Sequence, residues 1–129
     1  ARRRELGDGF AVFVPGHSVA FGRPLGANGS YSNVACLSPN GAVRLWDLIA
    51  SDPAAAISLE TCIVQFLKKN VMPLAQARGL SDPALDKLLA AAGGWGPIGP
   101  RLLWPYSFAT TAEVDQISRA ARRELPELF

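Results

Sequence analysis

Apolar and polar positions along the chain divide it into a short extended opening and a long helical remainder. Phe10-Ala11-Val12-Phe13-Val14 is a continuous apolar run between Gly9 and Pro15-Gly16. Such a run reads as a strand buried on both faces, the pattern of parallel sheets. Val19 to Leu25 is a short helix or loop, and Gly26-Ala27-Asn28-Gly29 is a turn cluster. Ser30 to Leu37 reads as a second strand, with Val34, Ala35, Cys36 and Leu37 suited to burial. Pro39-Asn40-Gly41 then interrupts it.

Beyond Gly41 the spacing changes to three and four. Val43, Trp46 and Ile49 share one predicted helical face. Ser51 or Asp52 caps the next helix, with Pro53 in its first turn. Leu59, Ile63, Phe66, Leu67, Asn70, Val71 and Leu74 form a stripe that runs to Gly79, and Pro73 should kink or break that helix. Ser81-Asp82-Pro83 opens another helix through Leu85, Leu88 and Leu89, and Gly93-Gly94 stops it. Gly93 to Pro105 is irregular. Thr110 or Thr111, with Glu113 or Val114, opens the last helix, whose buried face is Val114, Ile117, Ala121 and Leu125.

The start of the chain reads as the end of an element. Arg2-Arg3-Arg4-Glu5-Leu6-Gly7 resembles the last turn of a helix and its glycine stop, and the first residue is Ala1 rather than Met. The expectation is a piece of something longer. Two predicted strands are too few for an independent sheet, so the rest would be missing or come from another chain.

Composition narrows the function classes. The 129 residues suit one domain. Thirteen basic against eleven acidic residues give a net charge of +2, which offers no reason to expect nucleic acid as a partner. No apolar run is long enough for a spanning helix, so no membrane is expected. Cys36 and Cys62 are too few for a disulfide framework. With no signal peptide visible, a cytoplasmic setting follows as the default.

Candidate chemistry is sparse. An apolar strand followed by Gly16-His17-Ser18 is similar to the nucleophile elbow of α/β-hydrolases, but Ala20 stands where the second glycine belongs. His17 is the single histidine, so no separate base exists to activate Ser18, and an esterase is the weakest reading. One histidine and two distant cysteines have no ligand spacing, so no metal is expected. Gly22, Gly26 and Gly29 follow no strand and open no helix, which argues against a phosphate loop. The arginines at 2–4 and at 119, 122 and 123 read as solvated helix faces. Trp46, Trp95 and Trp104 read as core, as do both cysteines. Lys68, Lys69 and Lys87 fall on amphipathic helices, not in the desolvated setting that a Schiff-base lysine needs.

The block Gly26-Ala27-Asn28-Gly29-Ser30-Tyr31-Ser32-Asn33-Val34-Ala35-Cys36-Leu37-Ser38-Pro39 resembles the last barrel strand of the dihydrodipicolinate synthase / N-acetylneuraminate lyase family. Gly29, Ser32, Ala35 and Pro39 match that family's stretch without a gap, and Cys36 replaces its usual Asn. The lyase branch's Gly-Ser-x-x-Asn-Val fits through Gly29, Ser30, Asn33 and Val34. Phe10 to Gly16 resembles the preceding strand, although His17-Ser18 stand where acidic residues are usual. Arg101-Leu102-Leu103-Trp104-Pro105 and the final helix resemble the family's C-terminal region.

The resemblance implies an α/β fold: the C-terminal portion of a (β/α)8 barrel, residues 1–50 holding its last two parallel strands and residues 51–129 a mainly α-helical C-terminal region. It implies a fragment of a lyase or synthase that forms a Schiff base with pyruvate or a related 2-keto acid. The family's reactive lysine, its proton-relaying tyrosine and its carboxylate loop would lie outside this chain, so the chain alone is expected to be inactive, and neither Tyr31 nor Tyr106 is that tyrosine. What remains are pocket walls. Gly16 lets backbone approach the substrate, His17 and Ser18 face its distal part, and Ser30, Tyr31 and Ser32 line the keto-acid pocket. No cofactor is implied. The competing reading is a non-catalytic helical oligomerisation module that pairs its two strands with another copy or another chain, and a homo-oligomer is expected.

Overall fold

The computed structural model describes Glu5, Gly7 and residues 9–129. The Arg2–Arg4 part of the predicted opening helix turn lies outside the described residues, while Gly7 adopts a left-handed φ of +67°.

The described residues are 68 % helical. Strand β1 is Phe13–Pro15 and β2 is Gly29–Tyr31. They pair in parallel, with Phe13 opposite Gly29 and Pro15 opposite Tyr31. Between them run a 3₁₀ turn (Gly16–Ser18), helix α1 (Val19–Gly22) and a second 3₁₀ turn (Arg23–Leu25). Then come α2 (Asn33–Leu37), α3 (Pro39–Ser51), α4 (Pro53–Phe66), a π-helical turn (Leu67–Val71), α5 (Met72–Arg78), α6 (Asp82–Gly93) and α7 (Thr111–Glu124). A 3₁₀ turn, Pro126–Leu128, closes the chain.

This overturns the expected α/β fold. The protein is a small, mainly helical domain with two three-residue strands, not a portion of a (β/α)8 barrel followed by helices. Two physical reasons account for it. First, the second apolar run does not stay extended. The Ser32 side chain accepts the Ala35 N–H at 2.9 Å, an N-cap that turns residues 33–37 into a helix. Second, neither strand is buried on both faces. Phe13 is 58 % and Tyr31 66 % exposed, so the pair lies at the surface. Asn28 extends the pairing by one position, its N–H donating to the Val12 carbonyl at 2.7 Å and its Oδ1 accepting the Val12 N–H at 2.8 Å.

The core belongs to the helices. Leu45, Phe66, Leu88, Ile117, Leu125 and Leu128 are its largest fully buried apolar side chains, joined by Val19, Ala20, Val34 and Leu37. Residues from before and after position 50 therefore share one interior. Helix α3 presents Gly41 and Leu45 to it; of the predicted face, Ile49 packs against the core, while Val43 is 59 % and Trp46 39 % exposed. The tryptophans are not core residues, with Trp95 51 % and Trp104 92 % exposed. Of the cysteines, Cys62 is exposed and Cys36 half-buried.

Several boundaries follow local chemistry. Asp52, not Ser51, caps α4 by accepting the Ala55 N–H at 3.0 Å. Thr110 opens α7 with a reciprocal capping box to Glu113. The long stripe after Pro53 stays helical through Arg78 but is interrupted just ahead of Pro73 by a π-helical turn. Pro73 has no N–H to continue an α-helical ladder, and a π-helical turn absorbs the mismatch, with Asn70 Nδ2 donating to the Phe66 carbonyl at 3.2 Å. Helix α6 ends on Gly94 at φ +67°. Gly93 lets α6 meet α2, because a Cβ there would fall on the Leu37 carbonyl oxygen.

Candidate functional site

A cleft of about 690 Å³ lies between the strand ends and the α4–α6 helices. Pro15, His17, Tyr31, Ser32, Asn33 and Cys36 form one wall. Val64, Leu67, Lys68, Val71 and Met72 form the floor, and Asp82, Leu85, Asp86 and Leu89 of α6 form the far wall. A second, more open cavity of about 400 Å³ lies beside β2 and α3, and includes Phe13, Gly16, Ser30, Ser32, Val43 and Trp46.

The two strand ends place the polar wall. β1 runs into the 3₁₀ turn that carries His17, and β2 runs into the cap of α2 that carries Ser32 and Asn33. Parallel pairing brings these two exits side by side. Across sixteen residues of sequence, His17 Nδ1 lies 2.9 Å from Asn33 Nδ2 and 3.2 Å from Asn33 Oδ1. A neutral ring accepts at Nδ1 from the amide NH₂. A protonated ring donates to the amide oxygen. Asn33 can thus pair with Nδ1 in either protonation state, and this contact does not engage Nε2.

The far wall is acidic. Asp82 and Asp86 stand one turn apart on α6. Burial raises the Asp86 carboxyl above its usual value, and the Asp82 charge adds to this, while a hydrogen bond from the Cys36 thiol works in the opposite direction. The same surroundings raise the Cys36 thiol, first through burial and then through the charge and hydrogen bond of Asp86. Lys68 sits exposed on the π-helical turn at the edge of the floor, the one lysine on the cleft among the described residues. Among the described residues no group of three or more His, Cys, Asp or Glu side chains gathers as a metal site. No described helix is long and apolar enough to cross a membrane.

The six residues implied by the resemblance are split. His17, Tyr31 and Ser32 line the cleft; Gly16 and Ser30 line the second cavity, which Ser32 also reaches. Ser18 lines neither. It occupies the N-cap position of α1 without a capping hydrogen bond from its side chain. What approaches Gly16 closely is Ser32, since a Cβ at Gly16 would fall on the Ser32 hydroxyl.

Sequence reasoning missed Asn33, Cys36, Lys68, Asp82 and Asp86. Two signals were present. Asn33 is part of the quoted Gly-Ser-x-x-Asn-Val match, and Asp82 and Asp86 have the four-residue spacing that puts side chains on one helix face. No protein-family model, curated protein or solved structure matches the chain.

Proposed function

We propose that the chain binds a small 2-keto acid, of the pyruvate class, in the cleft between the strand ends and α6. It would serve as the substrate-holding part of a Schiff-base lyase or synthase whose reacting amine comes from outside these residues. The observation that carries this reading is the His17–Asn33 pair, held at 2.9 Å in the wall of a cleft that also holds Lys68. The ammonium group suits a carboxylate, the imidazole Nε2 and the Ser32 hydroxyl suit a keto oxygen, and Val64, Leu67 and Leu89 suit an alkyl group. The keto-acid class is what the resemblance over residues 26–39 implies, although Asn33–Leu37 form a helix here rather than the barrel strand they resemble.

Titration with pyruvate, followed by amide and imidazole NMR shifts, tests the binding. Shifts confined to His17, Ser32, Asn33 and Lys68 are expected, and their loss in His17→Ala. Pyruvate with borohydride is expected to leave the protein unmodified. A stable adduct on Lys68, Lys69 or Lys87 would move the amine into this chain and overturn that part of the assignment.

A second reading, assembly with another copy of this chain, is favoured by one observation. Leu103 is 87 % and Trp104 92 % exposed on the segment between α6 and α7. Paired apolar side chains this open are common at interfaces. Light scattering decides it: a monomer at all concentrations tested removes this reading.

A further inference from the structure

Glu60 is fully buried on α4, yet its described partners are backbone amides rather than cations. Its Oε2 accepts the Ala20 N–H at 2.6 Å and its Oε1 the Phe21 N–H at 3.1 Å. These are first-turn donors of α1, which the helix itself cannot satisfy. The residue placed to cap them, Ser18, makes no capping bond. Glu60 does so from forty positions away in the sequence.

Removing a carboxylate from water is costly, and an apolar residue of the same size packs a core at least as well. The cost therefore has to be offset by something local. Helix α1 has four residues, too few to persist alone. It continues directly from the turn that carries His17. A carboxylate gripping two consecutive amides fixes both the position and the rotation of that turn.

We infer that Glu60 is a positioning residue: it clamps the first turn of α1 and thereby holds His17 against Asn33 at the cleft. The inference rests on the cleft being the working site, as proposed above. Glu60→Gln keeps the size but presents an NH₂ group to one of the two amides. Glu60→Asp keeps the charge but shortens the reach, and is expected to act in the same direction more weakly. Ile63→Val, one turn along α4 and also buried, controls for lost stability alone.

Two readouts are taken on each folded variant: the ring ¹⁵N shifts of His17, and the pyruvate affinity. In Glu60→Gln the ring signals are expected to move or split and the affinity to fall about tenfold. In Ile63→Val both are expected to stay at wild-type values. Should Glu60→Gln itself not fold, Glu60→Asp is read in its place. The inference is overturned if the Glu60 variant keeps wild-type ring signals, or if Ile63→Val disturbs them equally. Failure of the wild-type protein to bind pyruvate would instead remove the keto-acid reading, and the ring signals alone would then decide the role of Glu60.

Discussion

Ser38 donates its hydroxyl proton to the carbonyl of Leu128, ninety positions along the chain, while accepting the Gly41 N–H at 3.0 Å. One buried hydroxyl thus caps α3 and pins the last turn of the protein to it. Gly41 makes room for this, because a Cβ there would fall on Leu128 backbone. Ser38→Ala leaves a buried carbonyl unpaired and removes a cap, and should cost about 1–3 kcal/mol. Gly41→Ala should cost a similar amount, about 1–3 kcal/mol, through overpacking against backbone. Urea unfolding measures both. A loss below about 0.5 kcal/mol, the range of ordinary surface substitutions, would mean that the junction adds nothing.

The His17–Asn33 pair separates binding from folding. Asn33→Leu removes both amide groups near Nδ1 while keeping the size. The expected stability loss is only about 1 kcal/mol, the net worth of one partly exposed hydrogen bond. Pyruvate affinity should fall about tenfold, because the ring loses its orientation. Equal affinity in both proteins would show that Asn33 does not orient the ring.

Acid should loosen the contact between α7 and the π-helical turn. Hydrogen bonds from Arg123 at 2.6 Å, and from Lys69 and Asn70 at 3.0 Å each, hold the Glu124 carboxyl down at about 2. A depressed carboxyl stabilises the fold fully above its unfolded value, and this stabilisation is lost as pH falls through the folded value. The window therefore runs from about pH 4.5 down to about 2. Tm measured across it should fall more steeply in the wild type than in Glu124→Gln. Parallel curves would exclude Glu124 as a source of acid sensitivity.

Thiol reactivity reports on the far wall of the cleft. Cys62 is exposed, whereas burial and the neighbouring Asp86 raise the Cys36 thiol. Alkylation reads the thiolate fraction, so iodoacetamide at pH 8 should modify Cys62 first. Asp86→Asn removes the adjacent negative charge and should speed the reaction at Cys36 severalfold. Mass spectrometry of timed samples gives both rates. A Cys36 rate that does not change would show that Asp86 does not act on it.

How far the residues announced this molecule depends on the range of the interaction involved. Helix α6, its Gly94 stop and the opening of α7 near Thr110 were all legible, although the choice of Thr110 and its reciprocal pairing with Glu113 were not. Their signals, Ser81-Asp82-Pro83, Gly93-Gly94 and Thr110-Thr111, act within four residues. An irregularity at Pro73 was legible for the same reason, although its form, a π-helical turn within a continuous helix, was not. The run 34–37 was misread. Its apolar character suits strand and helix alike, and the Ser32 cap decided between them. The face of α3 was misread too. Apolar residues lie on both its sides, and the inner one is selected by tertiary packing, including the close approach of Leu128 to Gly41.

At the cleft, single residues were visible in the chain, and their meetings were not. His17, Tyr31 and Ser32 could be singled out beforehand, whereas Asn33 gains its role by lying beside His17, and Glu60 by reaching Ala20 and Phe21. Local order follows from backbone geometry and neighbours a turn away, which any stretch of sequence carries with it. Assembly of the site depends on which surfaces become buried together, a choice made by the packing of the whole chain.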